Sequence, residues 1–352
     1  ICFSPIIRNG LYGPRLLIIK EEILSKWNKD TTTNEILEGV DLSEKKILIT
    51  GASGGLGEET ARALAAAGAS VIMAARDSKK NADAKERILS VHPESKLELH
   101  ELNLASLQEV RSSAEEFLSK NESLDILINN AGIMCTPFGH TTDGFEQQFG
   151  VNHLAHHLFT GLLMPALGEA ENSRVVSLSS GAHLICGVDL DDPMFERRDY
   201  DGWDSYGQSK SANALFAREL DRRFGERGVH AFSVHPGMIF TELGRYMTED
   251  DMTRLVERRK AQISADEESS GSDNMMSPKT VEAGAATTVW ACVEKSLDDQ
   301  GGHYLADCQL GIPLESEDAS PGSCSMAGHI LDDESAGKLW ELSEKLTDGA
   351  FS

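Results

Sequence analysis

The sequence predicts a doubly wound α/β fold, in which a parallel sheet is flanked by helices within a single domain. Short apolar runs such as 47–49 and 71–74 alternate along the chain with amphipathic segments of helical period. A glycine-rich turn at 50–57 lies directly between the first apolar run and the first helical segment. Strands that alternate with helices are joined by right-handed crossovers, so the resulting parallel sheet is covered on both faces.

These patterns place the regular elements between residues 45 and 235. The predicted strands are 47–49, 71–74, 97–102, 124–128, 174–178 and 229–234. The predicted helices are 58–67, 79–91, 107–118, 145–163 and 206–224. Ligands of such sheets bind beyond the carboxyl ends of the strands, and the candidate site residues are expected there.

Three segments are predicted along the chain. Residues 1–40 form an N-terminal extension, which either packs on the main domain or forms a poorly ordered arm. Residues 41–315 form the α/β domain, and residues 316–352 form a C-terminal helical tail that packs on it. A patch at 264–277, rich in Ser, Asp, Glu and Met, predicts a mobile loop.

The composition is typical of a globular protein with an acidic surface. Of 352 residues, 40% are hydrophobic and 26% are charged. With 57 acidic and 33 basic residues, the formal net charge is −24. Nucleic acids and anionic membrane surfaces would be repelled, so we expect neither as a partner.

Cysteine usage and hydropathy predict a cytoplasmic protein. The six cysteines include no CxxC pair, so neither a zinc site nor a disulfide framework is indicated. The longest early apolar run, 16–19, is far shorter than the roughly 20 residues of a membrane-spanning helix. We therefore expect no transmembrane segment and no signal peptide.

The turn Thr50-Gly51-Ala52-Ser53-Gly54-Gly55-Leu56-Gly57 is the strongest local feature. Glycines let the backbone turn tightly and approach a pyrophosphate, whose charge then lies at the N-terminus of the following helix. The residues expected to bind a dinucleotide here are Gly51, Ser53, Gly55, Leu56 and Gly57. The alternative is a tight turn with a structural role only.

Four motifs in this order resemble the hallmarks of the short-chain dehydrogenase/reductase family: TGxxxGxG at 50–57, NNAG at 129–132, YxxxK at 206–210 and PGxxxT at 236–241. The resemblance covers most of residues 45–310. It implies a Rossmann-type fold and hydride transfer between NADP(H) and an alcohol, aldehyde or ketone. It also implies cofactor contacts from Asn103, Leu104, Asn130, Ala131, Gly132, Tyr206, Lys210, Pro236, Gly237 and Thr241.

The end of the second strand bears on cofactor choice. NAD-selective relatives have an Asp there, whereas this chain has Ala75 followed by Arg76. A guanidinium can form a charge-assisted fork with a 2′-phosphate, so we expect NADP(H), with NAD(H) as the alternative. The alternative for Arg76 is a solvated surface arginine that does not bind the cofactor. If the turn is shifted by two residues, Asp77 is the acidic residue that binds the ribose. Similar proteins often have an Asp for the adenine amino group where this chain has Asn103, whose carbonyl oxygen can accept the same bond.

Tyr206 and Lys210 are the predicted catalytic pair. Carbonyl reduction requires a proton donor at oxygen, and a phenol serves if its ionised form is stabilised. Lys210, four residues later on the same helical face, is expected to lower the Tyr206 pKa. By resemblance, Lys210 also binds the nicotinamide ribose, and Ser180 orients the substrate, with Ser179 as the alternative.

Asn152 matches the family's helix asparagine that holds a proton-relay water. His153, His156 and His157 follow it. Their spacing alone does not build a metal site, so we expect them to pack within the helix or lie on its surface.

The 26-residue separation of Ser180 and Tyr206 is longer than in many family members. An insertion there resembles retinol dehydrogenases and the WW-domain oxidoreductase, and the pattern at 339–343 resembles bacterial relatives of that branch. An apolar, retinoid- or steroid-like substrate is implied. We expect 181–205 and 242–278 to border the substrate pocket, the latter as a lid or as a plain solvent loop. Neither the partner binding of a WW module nor membrane residence is expected.

Two other functions remain as alternatives. A non-catalytic nucleotide sensor or interaction protein could use the same fold, although it would not require the tyrosine chemistry. The epimerase/dehydratase branch also uses YxxxK, but its glycine turn reads TGxxGxxG. The expected partner is a small alcohol or carbonyl substrate, and a homo-oligomer is left open.

Overall fold

An eight-stranded sheet is the centre of the computed structural model, which describes residues 26–262, 278–298, 300–314 and 324–351. The strands of this sheet are β1 (Lys46–Thr50), β2 (Ser70–Ala75), β3 (Lys96–Glu101), β4 (Ile126–Asn129), β5 (Ser173–Leu178), β6 (Val229–His235), β7 (Tyr304–Ala306) and β8 (Gln309–Leu310). Their spatial order is β3-β2-β1-β4-β5-β6-β7-β8. All neighbours are parallel except β8, which pairs antiparallel with β7. Two further short strands, β9 (Ile312–Pro313) and β10 (Ser325–Met326), form a parallel pair.

Helices cover both faces of the sheet. They are α1 (Thr33–Ile36), α2 (Gly55–Ala66), α3 (Ser78–Val91), α4 (Leu107–Lys120), α5 (Gln147–Phe149), α6 (Ala155–Glu169), α7 (Gly202–Phe224), α8 (Glu249–Gln262), α9 (Val281–Val293) and α10 (Asp333–Thr347). Side chains of α2, α3 and α9 form a core with one face, and those of α4, α6 and α7 form a core with the other. Strands β4, β5 and β6 are buried along their whole length, as expected for a sheet covered on both sides.

The predicted fold class, a single-domain Rossmann-type parallel sheet, is confirmed. Each of the six predicted strands is present, with bounds shifted by at most two residues. The prediction of one helix over 145–163 was wrong. That segment contains α5, then a π-helical turn at Gly150–Leu154, then α6, and α6 continues to Glu169.

The loop prediction for 242–278 was wrong where α8 lies. The acidic run Glu249, Asp250 and Asp251 occupies the first turn of α8, where negative charge stabilises the free N–H groups of a helix. The acidic stretch therefore begins a helix where a loop is expected from the sequence. The predicted loop patch at 264–277 lies within 263–277, which is outside the described residues. Residues 1–25 of the extension, which include the apolar run 16–19, and residues 315–323 lie outside them as well.

The described part of the extension and the C-terminal helix both pack on the domain. Thr33 Oγ1 on α1 donates to Glu59 Oε1 on α2. Trp340 of α10 stacks on Phe216 of α7, with ring centroids 5.9 Å apart. Phe351 lies against Trp340 at 4.2 Å between centroids. Within the described ranges, no helix combines the length and the apolar character that crossing a bilayer requires.

Candidate active site

The sheet reverses its order of growth between β1 and β4, and a cleft opens at the carboxyl ends of these strands. The cleft is a cavity of about 1430 Å³. Every predicted cofactor-binding residue lines it, and so do Ser180, Tyr206 and Lys210: the set is Gly51, Ser53, Gly55, Leu56, Gly57, Arg76, Asn103, Leu104, Asn130, Ala131, Gly132, Ser180, Tyr206, Lys210, Pro236, Gly237 and Thr241. Asn152 is the one predicted site residue that does not line the cavity.

The glycine turn and the NNAG segment are bonded to each other. Thr50 Oγ1 accepts hydrogen bonds from the backbone N–H groups of Asn130 and Ala131, each at 2.9 Å. In return, Asn130 Nδ2 donates to Thr50 O at 2.8 Å. Gly51 has φ +70°, and a Cβ there would lie 2.9 Å from Ala131 Cα. The two motifs therefore form one rigid wall of the cavity.

Helix α2 begins at this wall with its N-terminus uncapped by any side chain, because its N-cap residue is Gly54. The first N–H groups of a helix have no partner inside the helix and carry partial positive charge. The bare start of α2 is therefore suited to a pyrophosphate.

The adenosine-ribose end shows how Arg76 and Asp77 are used. Arg76 directly follows the last residue of β2 and is exposed at the cavity, where it makes no hydrogen bond or ion pair with other described residues. Asp77 is the N-cap of α3 and accepts from Lys80 N at 3.0 Å. The carboxylate is thus engaged, and the guanidinium is available to an anion.

Asn103 is held by its own loop. Its Oδ1 accepts from Ala105 N at 3.1 Å, and its Nδ2 donates to Glu109 Oε1 at 3.0 Å. The oxygen expected to meet the adenine amino group already has one local partner. A carbonyl oxygen has two lone pairs, so it retains capacity for a second bond.

Tyr206 and Lys210 lie on α7, almost completely buried, with 4% and 3% of their surfaces exposed. Ser180, the N-cap of the short 3₁₀ turn Gly181–Leu184, lines the cavity together with Tyr206, and its Oγ accepts from Ala182 N at 3.2 Å. Lys210 Nζ lies 5.5 Å from the centroid of the Tyr206 ring and donates to Leu178 O at 2.8 Å. Tyr206, Ser180 and Lys210 therefore lie together near the end of β5.

Burial dominates the acid–base properties of this pair. It raises the pKa of Tyr206 well above its usual value, against a smaller lowering by the Ser180 hydrogen bond. Burial also lowers the pKa of Lys210 to about 7. Desolvation therefore sets the net direction of the Tyr206 pKa, and the expectation that Lys210 lowers this pKa stays a prediction.

The two candidate serines have different contacts. Ser179 Oγ donates to Lys210 O at 2.8 Å and is buried against the helix backbone. Among the described residues, Ser180 Oγ only accepts, from Ala182 N at 3.2 Å, so its proton remains available, which favours Ser180 as the substrate-orienting residue.

Asn152 lies in the π-helical turn, behind the cavity wall. Its Oδ1 accepts from Ile133 N, and its Nδ2 donates to Ile133 O, both at 2.9 Å. Nδ2 also lies 3.0 Å from Ser209 Oγ, which links it to α7. A Cβ on Gly132 would lie 3.2 Å from Asn152 Oδ1 and 3.6 Å from Lys210 Nζ. Asn152 therefore supports the turn beside Lys210.

The three histidines after Asn152 are all buried. His156 connects Asn152 O, 3.0 Å from its Nδ1, to Thr50 Oγ1, 2.9 Å from its Nε2. His153 Nε2 lies 2.8 Å from Ser343 Oγ of α10, whereas neither ring nitrogen of His157 has a hydrogen-bond partner within the described part of the chain. Across the described ranges, no group of three or more His, Cys, Asp or Glu side chains could hold a metal ion.

An apolar wall faces Tyr206. Cys135, Trp203 and Tyr206 form a buried cluster with packed side chains of Met134, Ala182, Ile185, Met247 and Leu255. Of the segment 181–205, only Gly181, Ala182, Leu184, Ile185 and Trp203 line the cavity. Residues 242–247 line it as well. The ends of the predicted substrate segments thus reach the cavity, whereas 186–202 pack elsewhere.

Several cavity residues have no counterpart among the sequence predictions. Met134 lies two residues after the NNAG segment, so its place in the cavity wall could have been inferred from its position in the sequence. Lys279 forms an ion pair with Asp307, and its Cε would lie 2.7 Å from a Cβ on Gly237. His235 ends β6 one residue before the PG motif, yet a histidine there carries no motif of its own. These contacts join segments too distant in sequence for a local pattern to indicate.

Comparison with known proteins agrees with this geometry. A family model described as short chain dehydrogenase matches residues 45–252. The chain is 37% identical over 310 residues to short-chain dehydrogenase/reductase prx1 of Penicillium roqueforti, covering 87% of this chain and 86% of that protein. It is 39% identical over 272 residues to retinol dehydrogenase 12 of Mus musculus, covering 77% and 80%. The crystal structure of an uncharacterized protein from Mycobacterium Paratuberculosis superposes with a TM-score of 0.67 at 32% identity, covering 93% of this chain and 100% of that one. The chain belongs to the short-chain dehydrogenase/reductase family of oxidoreductases.

Proposed function

We propose that the protein is an NADP(H)-dependent oxidoreductase that interconverts an alcohol and an aldehyde or ketone, with Tyr206 as general acid and base. The observation that carries the proposal is the meeting of Ser180, Tyr206 and Lys210 in the same cavity as the glycine turn. Relatives at 37% and 39% identity are named as dehydrogenases, in agreement with this class of reaction.

The residues of the cleft fit a dinucleotide phosphate. Gly51 and Gly57 let the turn, the NNAG segment and the start of α2 pack closely, so that the uncapped start of α2 lies at the cavity. Arg76 supports a preference for NADP(H), because its guanidinium is free of described partners and stands beside a neutral Ala75. When bound, the nicotinamide supplies or accepts the hydride.

In the reductive direction, the carbonyl carbon gains a hydride, and Tyr206 Oη gives its proton to the carbonyl oxygen. Burial raises the Tyr206 pKa, so the phenol holds its proton at neutral pH. Ser180 lines the same cavity as Tyr206, so its hydroxyl can bind the same substrate oxygen. Lys210, with a pKa lowered to about 7, can release and regain a proton near neutral pH beside the tyrosine.

The wall around Met134, Ile185, Trp203, Met247 and Leu255 supports an apolar substrate. Thioether and aliphatic side chains gain free energy by burying apolar surface and offer no hydrogen bond to a polar substrate body. A retinoid- or steroid-like shape is compatible with this wall, and the relative from Mus musculus is named for retinol.

The test is a panel of aldehydes and ketones, from short polar to long apolar, assayed by NADPH oxidation. Tyr206→Phe should retain NADPH binding and lose turnover by orders of magnitude, because the ring remains and the transferable proton does not. Tyr200→Phe, which removes a hydroxyl outside the cavity, is the matched control. If Tyr206→Phe retained more than about a tenth of wild-type turnover, the mechanism would be wrong. NADPH binding without turnover of any carbonyl would instead support a nucleotide sensor.

A further inference from the structure

Two buried histidines outside the predicted catalytic set bind the peptide group that follows the orienting serine. The carbonyl oxygen of Ser180 lies 2.7 Å from His183 Nδ1. The N–H of Gly181, on the other side of the same peptide bond, donates to His235 Nδ1 at 3.1 Å. Both polar groups of the Ser180–Gly181 peptide are therefore held by imidazole rings from different parts of the chain.

The tautomer of each ring follows from its partners. The backbone N–H of Ala327 donates to His183 Nε2 at 3.2 Å. A backbone N–H can only donate, so His183 Nε2 is the acceptor, and Nδ1 carries the proton that bonds Ser180 O. His235 Nδ1 also accepts from Gly237 N, at 3.3 Å, so its proton lies on Nε2. His183 and His235 thus hold the peptide as neutral rings of opposite tautomer.

The surroundings keep both rings in place. His183 is fully buried and packs against Tyr304, with ring centroids 4.8 Å apart. Burial lowers its pKa to about 4, which agrees with a neutral ring at physiological pH. His235 stands over Gly181, where a Cβ would lie 3.2 Å from its Nε2. Rotation of the peptide would break bonds on both sides.

We propose that His183 and His235 are positioning residues that hold the Ser180–Gly181 peptide between them and so fix the Ser180 hydroxyl against Tyr206. This inference rests on the proposed function. The backbone dihedrals of Ser180 aim its side chain, and the orientation of the following peptide fixes one of them. His235 has a second task, because it also holds Gly237 in the turn that lines the cofactor side of the cavity.

Paired amide substitutions separate the two ring nitrogens at each position. An Asn places its amide at the level of Nδ1, and a Gln places it at the level of Nε2. His235→Asn keeps an acceptor for Gly181 and Gly237, and His183→Asn keeps a donor for Ser180 O. The Gln variants lose these bonds while they retain a polar side chain of similar size.

We expect kcat to fall about tenfold or more in each Gln variant and to stay within about threefold of wild type in each Asn variant, since one charge-neutral hydrogen bond is worth roughly a factor of ten. The KM for NADPH should rise in His235→Gln and stay unchanged in His183→Gln, because only His235 touches the Gly237 turn. His157→Leu is the control: a buried histidine without ring hydrogen bonds, whose loss should alter stability and leave kcat unchanged.

Two measurements do not depend on turnover. Nitrogen-15 shifts of the wild-type rings should show the proton on Nδ1 in His183 and on Nε2 in His235. Amide exchange at Gly181 should be slow in wild type and in His235→Asn, and fast in His235→Gln. Equal kcat in the Asn and Gln variants, or the opposite tautomers, would overturn the positioning role. Slow Gly181 exchange in a protein that reduces no carbonyl would contradict the proposed function instead, and the histidine contacts would stand.

Discussion

A Cβ on Gly57 would lie 2.3 Å from the carbonyl oxygen of Gly51, which shows how closely the start of α2 approaches the turn before it. The same Cβ would lie 2.6 Å from Asn130 Nδ2, the amide that holds Thr50 O. Both neighbours belong to the wall formed by the glycine turn and the NNAG segment. The first neighbour is a backbone atom and the second is held by its hydrogen bond to Thr50 O, so neither can move without displacing the wall.

Gly57→Ala should therefore displace the wall and weaken NADPH binding by about tenfold or more, since forced overlap in a packed site costs about 1 to 3 kcal/mol. Fluorescence titration of NADPH measures the loss. Gly54→Ala is the matched control, because a Cβ there meets nothing within 4 Å. Equal affinities in the two variants would show that the close approach is unimportant for binding.

Arg76→Ala should reduce the preference for NADPH over NADH about tenfold, because a charge-assisted fork to phosphate is worth roughly 1.5 to 3 kcal/mol. The ratio of kcat/KM for the two cofactors measures the change. Arg87→Ala is the control: Arg87 lines the same cavity but is bound to Glu58 through two hydrogen bonds, at 2.8 and 2.7 Å. An unchanged ratio in Arg76→Ala would make Arg76 a surface residue.

Lys210 should make the cofactor-free protein less stable as the pH falls from 10.5 towards 7. Burial lowers the folded-state pKa from 10.5 to about 7, so the unfolded state binds more protons within this window. The contribution of neutral Lys210 to the free energy of unfolding is complete above pH 10.5. It falls by up to about 1.4 kcal/mol per pH unit as the pH is lowered towards 7.

Lys210→Met should remove this dependence, and its stability advantage over wild type should be larger at pH 7 than at pH 10. Leu178 O keeps its bond from Asn213 Nδ2, at 2.9 Å, in the variant. Urea unfolding at both pH values measures the difference, and parallel stability profiles would contradict it.

Acid should unfold the protein through its buried histidines. Burial lowers the pKa of His153 to about 3 and the pKa values of His156 and His183 to about 4, and it lowers the pKa of His157 as well. The lowered pKa values mean that the folded state favours neutral rings. The contribution of these histidines to the free energy of unfolding is therefore complete above pH 6.5 and is lost as the pH falls towards 4.

His157→Phe should make this acid transition less steep, by up to about 1.4 kcal/mol per pH unit, because it removes one proton from the difference between the two states. The ring lies among Trp340, Phe351 and Phe216, where a phenyl group is compatible with its neighbours. Unfolding free energies from pH 7 to 4 test the change. A wild-type slope in His157→Phe would exclude the effect.

Most of the central sheet was predictable because β1, β2 and β4 are apolar runs, β3 alternates polar and apolar residues, and several helices carry a clear period. Helix α9 was not predicted from the sequence, because it is almost wholly buried and apolar on all sides and so has no amphipathic period. Strand β7 has only three residues, and its pairing with β6 depends on a partner about seventy positions earlier in the chain. Short elements fixed by distant partners have little local signal.

The candidate site also contains features that local sequence motifs predict and features that only the packed fold determines. Tyr206, Lys210, Ser180 and the glycine turn belong to local motifs and converge as expected. The direction of the Tyr206 pKa could not be predicted from its spacing to Lys210, because burial of both groups is a property of the packed fold. His183 and His235 meet across one peptide only after β6 and the turn at 181–184 are brought together, so no spacing rule indicates them.

The π-helical turn at Gly150–Leu154 makes the contacts on either side of it depend on the exact number of residues in this segment. Ala155 N donates to Gly150 O, five residues earlier, so this turn holds one residue more than an α-helical turn. Gln148, before the turn, accepts from Cys135 N, and His156, after it, faces Thr50. Deleting one residue between them would rotate one side by about 100° relative to the other and break one of the two contacts. Substitutions within this segment should be tolerated far more often than any change in its number of residues.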